Sequence, residues 1–203
     1  MKKVRLWMLT AILTLCGTTT VSAQTKQGEW FSSGSIGVGL SNFVGDIKDN
    51  KSKVGITLNG DIGYNVTDWF APSIGITNAY QSVGYTVINK SMHMDVLSVP
   101  LLLNCSTGPF TLKAGIQPDF MLSARMNGLS YRDQFKTVSM SVPLALNWNF
   151  CKDSDGDLWF VEVRYHLGLT KMNKEDMFSN GWRTPSSIRN SIIMLNIGYK
   201  CDL

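Results

Sequence analysis

Past residue 23 this chain has no apolar run of the roughly 20 residues that a membrane-crossing helix needs. Histidine is scarce, with two in 203 residues. Beyond Cys16 there are only Cys105, Cys151 and Cys201, and no Cys-x-x-Cys pair occurs. An odd count at such spacing indicates no disulfide framework. One pair could still oxidise outside the cytoplasm. An excess of one charge is lacking too. Of 19 basic side chains, Lys2, Lys3 and Arg5 belong to an N-terminal leader, which leaves 16 against 15 acids, a net +1. A balance so close to neutral removes the electrostatic case for nucleic acid.

The leader reads as a secretory signal peptide over residues 1–23. A basic start (Lys2, Lys3, Arg5) precedes an apolar stretch from Leu6 to Leu15, and Val21-Ser22-Ala23 offers a small-residue cleavage site after Ala23. An uncleaved anchor fits less well, because the apolar stretch is short and ends in Gly17 and three threonines. Lipidation at Cys16 would want a small residue before it, and Leu15 stands there.

What the rest of the chain has is alternation. In residues 94–124, Leu97, Val99, Leu101 and Leu103 share one face. After a Ser-Thr-Gly-Pro break, Phe110, Leu112, Ala114, Ile116, Phe120 and Leu122 share one face again, opposite Thr111, Lys113, Gly115, Gln117, Asp119, Met121 and Ser123. A period of two marks β-strands. These runs exceed the usual soluble strand of about 5 to 6 residues, and a tilted strand crosses a bilayer in roughly 9 to 11. With no apolar helix available, only a closed barrel could span lipid, which leaves an open strand edge no partner.

Similar runs occupy residues 34–44, 53–65, 69–80, 138–150, 159–169 and 188–203. The count is eight strands. Sixteen would consume roughly 160 of the 180 residues after the leader and leave too little for loops. The expected organisation is therefore a signal peptide (1–23), a short lead (24–33) and an all-β, eight-stranded antiparallel up-and-down barrel (34–203). Ile36, Val142, Val163 and Leu195 should face lipid. Connections alternate long and short, as in outer-membrane barrels, with the longest at 81–93, 125–136 and 171–187. Aromatics gather at both strand ends: Trp69, Phe70, Phe110, Trp148, Phe150, Trp159, Phe160 and Tyr199 at the short turns, and Phe43, Tyr80, Tyr85, Tyr131, Phe135 and Trp182 at the long loops. Two belts at two depths suit a bilayer's interfaces. Pro72, Pro100, Pro118 and Pro143 fall in strands, where each removes a ladder donor, so bulges or gaps are expected there.

Parity turns Asp61, Lys113, Asp119, Glu162, Arg164, His166 and Lys200 inward. An eight-stranded barrel is just wide enough for side chains to fill, and the mixed signs favour a salt-bridge network over a proton or substrate site. His93 has Ser91 and Asp95 nearby, but on an expected loop. Asp153, Asp155 and Asp157 with Gly156 invite a calcium reading, yet Arg164 stands where a bidentate Glu would close such a loop. An Asp-Gly turn accounts for them more simply. No catalytic, cofactor-binding or metal residue is assigned, and no enzyme activity is expected.

The segments Val99-Pro100-Leu101-Leu102-Leu103, Ala114-Gly115 and Leu122-Ser123 carry a likeness. In these segments, and in a closing strand through Ile197-Gly198-Tyr199, the chain resembles the PorT-like outer-membrane β-barrel (porin family) proteins of Bacteroidetes. The resemblance implies an outer-membrane location and an eight-stranded barrel. It supplies no catalytic residues, and a secretion role known for some relatives maps onto no residue here. The ending Lys200-Cys201-Asp202-Leu203 departs from barrels that close on an aromatic.

The expectation is a barrel in the outer-membrane lipid bilayer, with a filled polar lumen and a structural or interaction role through its external loops. A narrow passive pore and an outer-membrane lipid-modifying enzyme are the alternatives. The 171–187 loop, with Met172, Met177, Phe178 and Trp182, would either fold over the barrel mouth or dock a protein partner. Strand 1 starts in the periplasm if the leader is cleaved there, so the three longest connections face outward. An epitope tag inserted beside Asn173 should bind antibody on intact cells, and one inserted within 152–157 only after the outer membrane is opened; the reverse accessibility would overturn this topology.

Overall fold

Each strand with one apolar and one polar face must bury the polar face if lipid surrounds it, and eight such strands do so by closing on themselves. The computed structural model describes residues 27–45, 50–85, 90–154, 156–174 and 187–203. The leader and its cleavage point lie outside the described residues. The chain forms β1 (Trp30–Gly45), β2 (Asn50–Tyr64), β3 (Phe70–Tyr85), β4 (Lys90–Ser98), β5 (Leu101–Thr107), β6 (Phe110–Met126), the two-residue β7 (Leu129–Ser130), β8 (Val138–Lys152), β9 (Leu158–Gly168) and β10 (Ile188–Asp202). A 3-10 turn spans Arg132–Gln134.

All pairings are antiparallel and follow chain order, and β1 meets β10 from Phe31↔Asp202 to Gly45↔Ile188, which closes the ring. β4 and β5 make one stave, since both pair with β3 on one side and β6 on the other. The barrel therefore has eight staves, the number read from the sequence. The stave breaks at Val99-Pro100, where Pro100 has no N–H to give. Its carbonyl accepts from Gly75 N at 2.9 Å, and Val99 N donates to Pro118 O at 3.0 Å.

Prolines explain less of the irregularity than expected. Pro143 faces a gap in the β6–β8 ladder, but Pro72 and Pro118 stay in register opposite Leu103 and Met140. The three register shifts lie elsewhere: between Ser52 and Ile56 in β2, at Asp95/Val96 opposite Leu122, and between Asn149 and Cys151 in β8. Each adds a residue to one strand, and beyond it, toward the nearer strand end, every side chain changes face. Beyond Leu122, Ala124 and Met126 are buried and Arg125 is exposed, the opposite of unbroken alternation from Lys113.

The strands also run further than expected. β1 starts at Trp30, so residues 30–33 are strand and not lead, and Ser33 is buried inside. The expected 81–93 loop is mostly strand, with only residues 86–89 between β3 and β4 outside the described residues. Polar composition misled here, because both strands leave the lipid and keep pairing in water. The 125–136 loop holds β7 and the 3-10 turn. Of the 171–187 loop, residues 175–186, with Met177, Phe178 and Trp182, lie outside the described residues.

The outward face is apolar across the middle of the strands. Ile36, Ile56, Ile76, Leu112, Leu146, Val163 and Leu195 are all exposed, and Val142 is half-exposed. At the short-turn end Trp30, Trp69, Phe110, Trp148 and Trp159 are exposed, with Trp30 against Tyr64 and Trp159 edge-on to Tyr199. The second belt is thinner than expected. Tyr80 is exposed, but Phe43 and Phe135 are buried inside, as Phe160 is at the other end. All three remaining cysteines are free, near the short-turn ends of β5, β8 and β10.

Val163→Arg places a cation at mid-stave on the outward face. It should destabilise the barrel by about 2 to 4 kcal/mol in lipid vesicles, measured by denaturant titration.

Candidate functional site

The inward positions of the eight staves converge on the lumen, which is filled in layers. At the short-turn end lies an aromatic floor. Phe31 and Phe160 turn inward, with Lys200 Nζ 4.3 Å from the Phe31 ring centre and Lys113 Nζ 5.6 Å from that of Phe160. Beside them, reaching the turn at Asn65 to Phe70, is a cavity of about 20 Å³ lined by Ser33, Asn104, Asn147 and Lys113 among others. That is enough for a buried water.

Four charges follow. Alternation along β9 puts Glu162 and Arg164 on the inner face; β2 adds Asp61 and β6 adds Lys113. Lys113 Nζ lies 3.5 Å from Asp61 Oδ2 and 3.4 Å from Glu162 Oε2. Arg164 Nη2 lies 3.8 Å from Asp61 Oδ2 and donates to Glu162 Oε2 at 3.1 Å. Arg164 Nε also approaches Glu162 Oε1 at 2.7 Å, an ion contact with poor hydrogen-bond direction. Two positive groups balance two negative ones with almost no exposure. Asn196 donates to Glu162 Oε1 at 2.9 Å, and Asn59 Oδ1 accepts from Thr77 at 2.9 Å and from Arg164 Nη1 at 3.3 Å. Glycine makes the room: a Cβ on Gly75 would collide with Asp61, and one on Gly37 with Asn196. The expected interior network is present, without Asp119, His166 or Lys200 in its ion pairs.

A second polar layer lies above. Ser98 and Gln117 each donate to Asp119 Oδ1 at 2.7 Å, while Gln117 Nε2 stands 3.4 Å from His166 Nδ1. A serine, a histidine and an acid thus share one neighbourhood, but a glutamine separates the histidine from the acid and Ser98 bonds the carboxylate itself. Ser41 donates to Gln81 Oε1 at 3.0 Å.

The top layer corrects the expectation of a polar lumen throughout. Phe43, Val83, Met92, Met94, Val96, Met121, Ala124, Met126, Phe135, Met172 and Ile188 form one buried apolar cluster. Most are inward strand positions. Phe135 and Met172 come from the loops, where Lys136 N donates to Met172 O and Met172 N to Ile188 O, both at 2.8 Å. Of the two outcomes weighed for the 171–187 loop, Met172 folds into the mouth. The signal for this plug was in the sequence: Met92, Met94 and Val96 alternate across the boundary between the expected 81–93 loop and the strand read from residue 94.

The other candidates fall apart. His93 is on β4 and not a loop; it faces outward, stacked on Tyr80 with ring centres 6.0 Å apart and bonded to Ser82 at 2.8 Å. Asp95 accepts from Asn78 at 2.9 Å. Asp153 and Asp157 close the β8–β9 turn, in which Asp157 N donates to Asp153 Oδ1 at 3.1 Å and Gly156 takes φ +98°. The Tyr199 hydroxyl lies 2.6 Å from Asp153 Oδ2 and 2.7 Å from Asp157 Oδ2. Asp155 lies outside the described residues. Among the described residues no three metal-ligating side chains converge.

Comparison with known proteins agrees with this architecture. A family model, outer membrane protein beta-barrel domain, matches residues 11–200. The outer-membrane protein OprG of Pseudomonas aeruginosa superposes with a TM-score of 0.53 at 14% identity, covering 88% of this chain and 98% of its own. The outer-membrane protein AlkL, solved in lipid bilayers, gives 0.50 at 13%, covering 90% and 93%. Neisserial surface protein A gives 0.50 at 10%, covering 83% and 95%. At such identities these likenesses show the fold alone. No curated protein matches the chain.

Glu162→Gln leaves Lys113 and Arg164 facing Asp61 alone and should cost roughly 3 to 5 kcal/mol. Adding Lys113→Met restores the charge balance and should recover part of that loss. Denaturant midpoints of the folded barrel in lipid measure both.

Proposed function

The chain belongs to the outer membrane protein beta-barrel domain family, whose model spans residues 11–200, and from that premise we propose a closed, non-conducting barrel that works through its long-loop end. The family and the fold place it in the outer membrane. One observation carries the reading: the lumen is stoppered twice by unlike means. The charged layer is neutral overall and fixed by hydrogen bonds, so an ion passing it would have to break buried pairs. The methionine-rich plug is apolar and presents no side-chain oxygen to a hard ion.

What remains for contact with other molecules is the rim above the plug. Met172 and Phe135 tie the long loops to the barrel, which makes that rim a held surface on a rigid scaffold. The role is a structural or interaction one and non-enzymatic, with 171–187 the segment for a protein partner. The PorT-like motifs at 99–103 and 114–115 support a place among the Bacteroidetes barrels of that kind. The leader supports export with cleavage after Ala23. The long connections face outward.

Purified protein in a planar bilayer should show no stable open channel. Met94→Ser with Met126→Ser, which makes the plug polar but leaves the charged layer intact, should still conduct little. Large steady openings in the unaltered protein would replace this reading with a porin.

A further inference from the structure

The strand irregularities place cations outside the barrel at one height. Unbroken alternation from Asp61, Asn59 and Thr57 would send Lys53 and Lys51 into the lumen. The shift between Ser52 and Ile56 reverses this. Lys51 pairs with Gly84 across the β2–β3 ladder, and Lys53 Nζ reaches over β3 to donate to Ser91 Oγ on β4. Gly84 provides the path: a Cβ there would lie 3.1 Å from Lys53 Cε and 3.4 Å from Lys51 Cβ. The same inversion happens on β6. The extra residue at Leu122 turns Arg125 out, opposite the outward His93. Two separate bulges therefore bring Lys51, Lys53 and Arg125 to the outer face of adjoining staves β2, β3, β4 and β6.

All three are exposed, and none has an acidic partner among the described residues. Among the described residues the acid of the strip is Asp95, and it is bonded to Asn78. The strip crosses three interstrand spacings, about 14 Å. It lies immediately above Tyr80, where the apolar band ends, and Tyr80 stacks on His93 within it. Outward cations one step above an interfacial aromatic meet lipid headgroups, not acyl chains.

We infer that the Lys51–Lys53–Arg125 strip binds the phosphate groups of an anionic glycolipid in the leaflet around the long-loop end. Two lysines and an arginine suit phosphate oxygens, the arginine by its forked donors. The Lys53 side chain runs over Gly84, which carries its ammonium across to β4 and toward the stave that bears Arg125. The outer leaflet as the source rests on the orientation proposed above; the binding itself does not.

Each cation near an anionic surface strengthens attachment roughly fivefold. In detergent micelles, the full protein should bind bis-phosphorylated lipid A at least about tenfold more tightly than Lys51→Gln/Lys53→Gln/Arg125→Gln. Lys152→Gln, at the opposite end, should bind like the unaltered protein, and added salt should weaken the interaction. Unheated gel mobility checks that each variant is folded, and if the triple variant fails, the single variants carry the comparison. Equal binding by folded variants overturns the inference. So does equal binding of dephosphorylated lipid A, or of phosphatidylglycerol, by the unaltered protein. None of these outcomes depends on whether the lumen conducts or which way the barrel points in cells.

Discussion

Hydrocarbon offers no hydrogen-bond partner, so a strand edge in a membrane must end on another strand. In this chain the requirement is met where β1 runs beside β10 along nearly its whole length. Closure with eight staves then dictates the interior, because a ring this small leaves a bore only side chains wide. Inward residues must therefore fit one another across it. Glycines at 37 and 75 stand where Asn196 and Asp61 need space. Charges that enter must cancel, and Asp61, Glu162, Lys113 and Arg164 do so within one layer.

The layers close the bore by different physics. The charged layer is directional: each group is held by several partners, and losing one leaves a buried charge exposed to none. The methionine layer is not. Unbranched thioether side chains fill irregular gaps without demanding a particular geometry. A rigid lower core and an adaptable upper one suit a barrel whose lower connections are tight turns and whose two longest connections, β6 to β8 and β9 to β10, lie at the upper end. Phe135 and Met172 let the loops share in the adaptable part.

Strand count, closure and the inward set at Glu162, Arg164, Lys113 and Asp61 were legible in the sequence, because a lipid-facing strand shows its two faces with little noise. Two things were not. Where strands leave the lipid, their outer face turns polar and the contrast vanishes, so 81–93 read as loop although β3 and β4 continue through most of it. The bulges were the other. Alternation fixes a phase only until an extra residue intervenes, and nothing in the side chains around Leu122 or Lys53 announces one. Prolines pointed to other positions, and only Pro100 and Pro143 coincide with breaks. The methionine plug was missed for both reasons at once.

A bulge in a barrel behaves like a parity bit. The residue at Leu122 carries little information of its own, yet it decides how every later position on β6 is interpreted: Ala124 and Met126 as interior, Arg125 as exterior. Such a strand constrains descent in an unusual way. Substitutions around the bulge can accumulate singly, each judged by its own fit. A one-codon deletion there would rewrite the meaning of all that follows up to the loop, sending an arginine inward and a methionine out. Length changes above the bulge are thus tolerated in pairs and rejected singly, so lineages of this barrel would be expected to keep the length of β6 more faithfully than its letters.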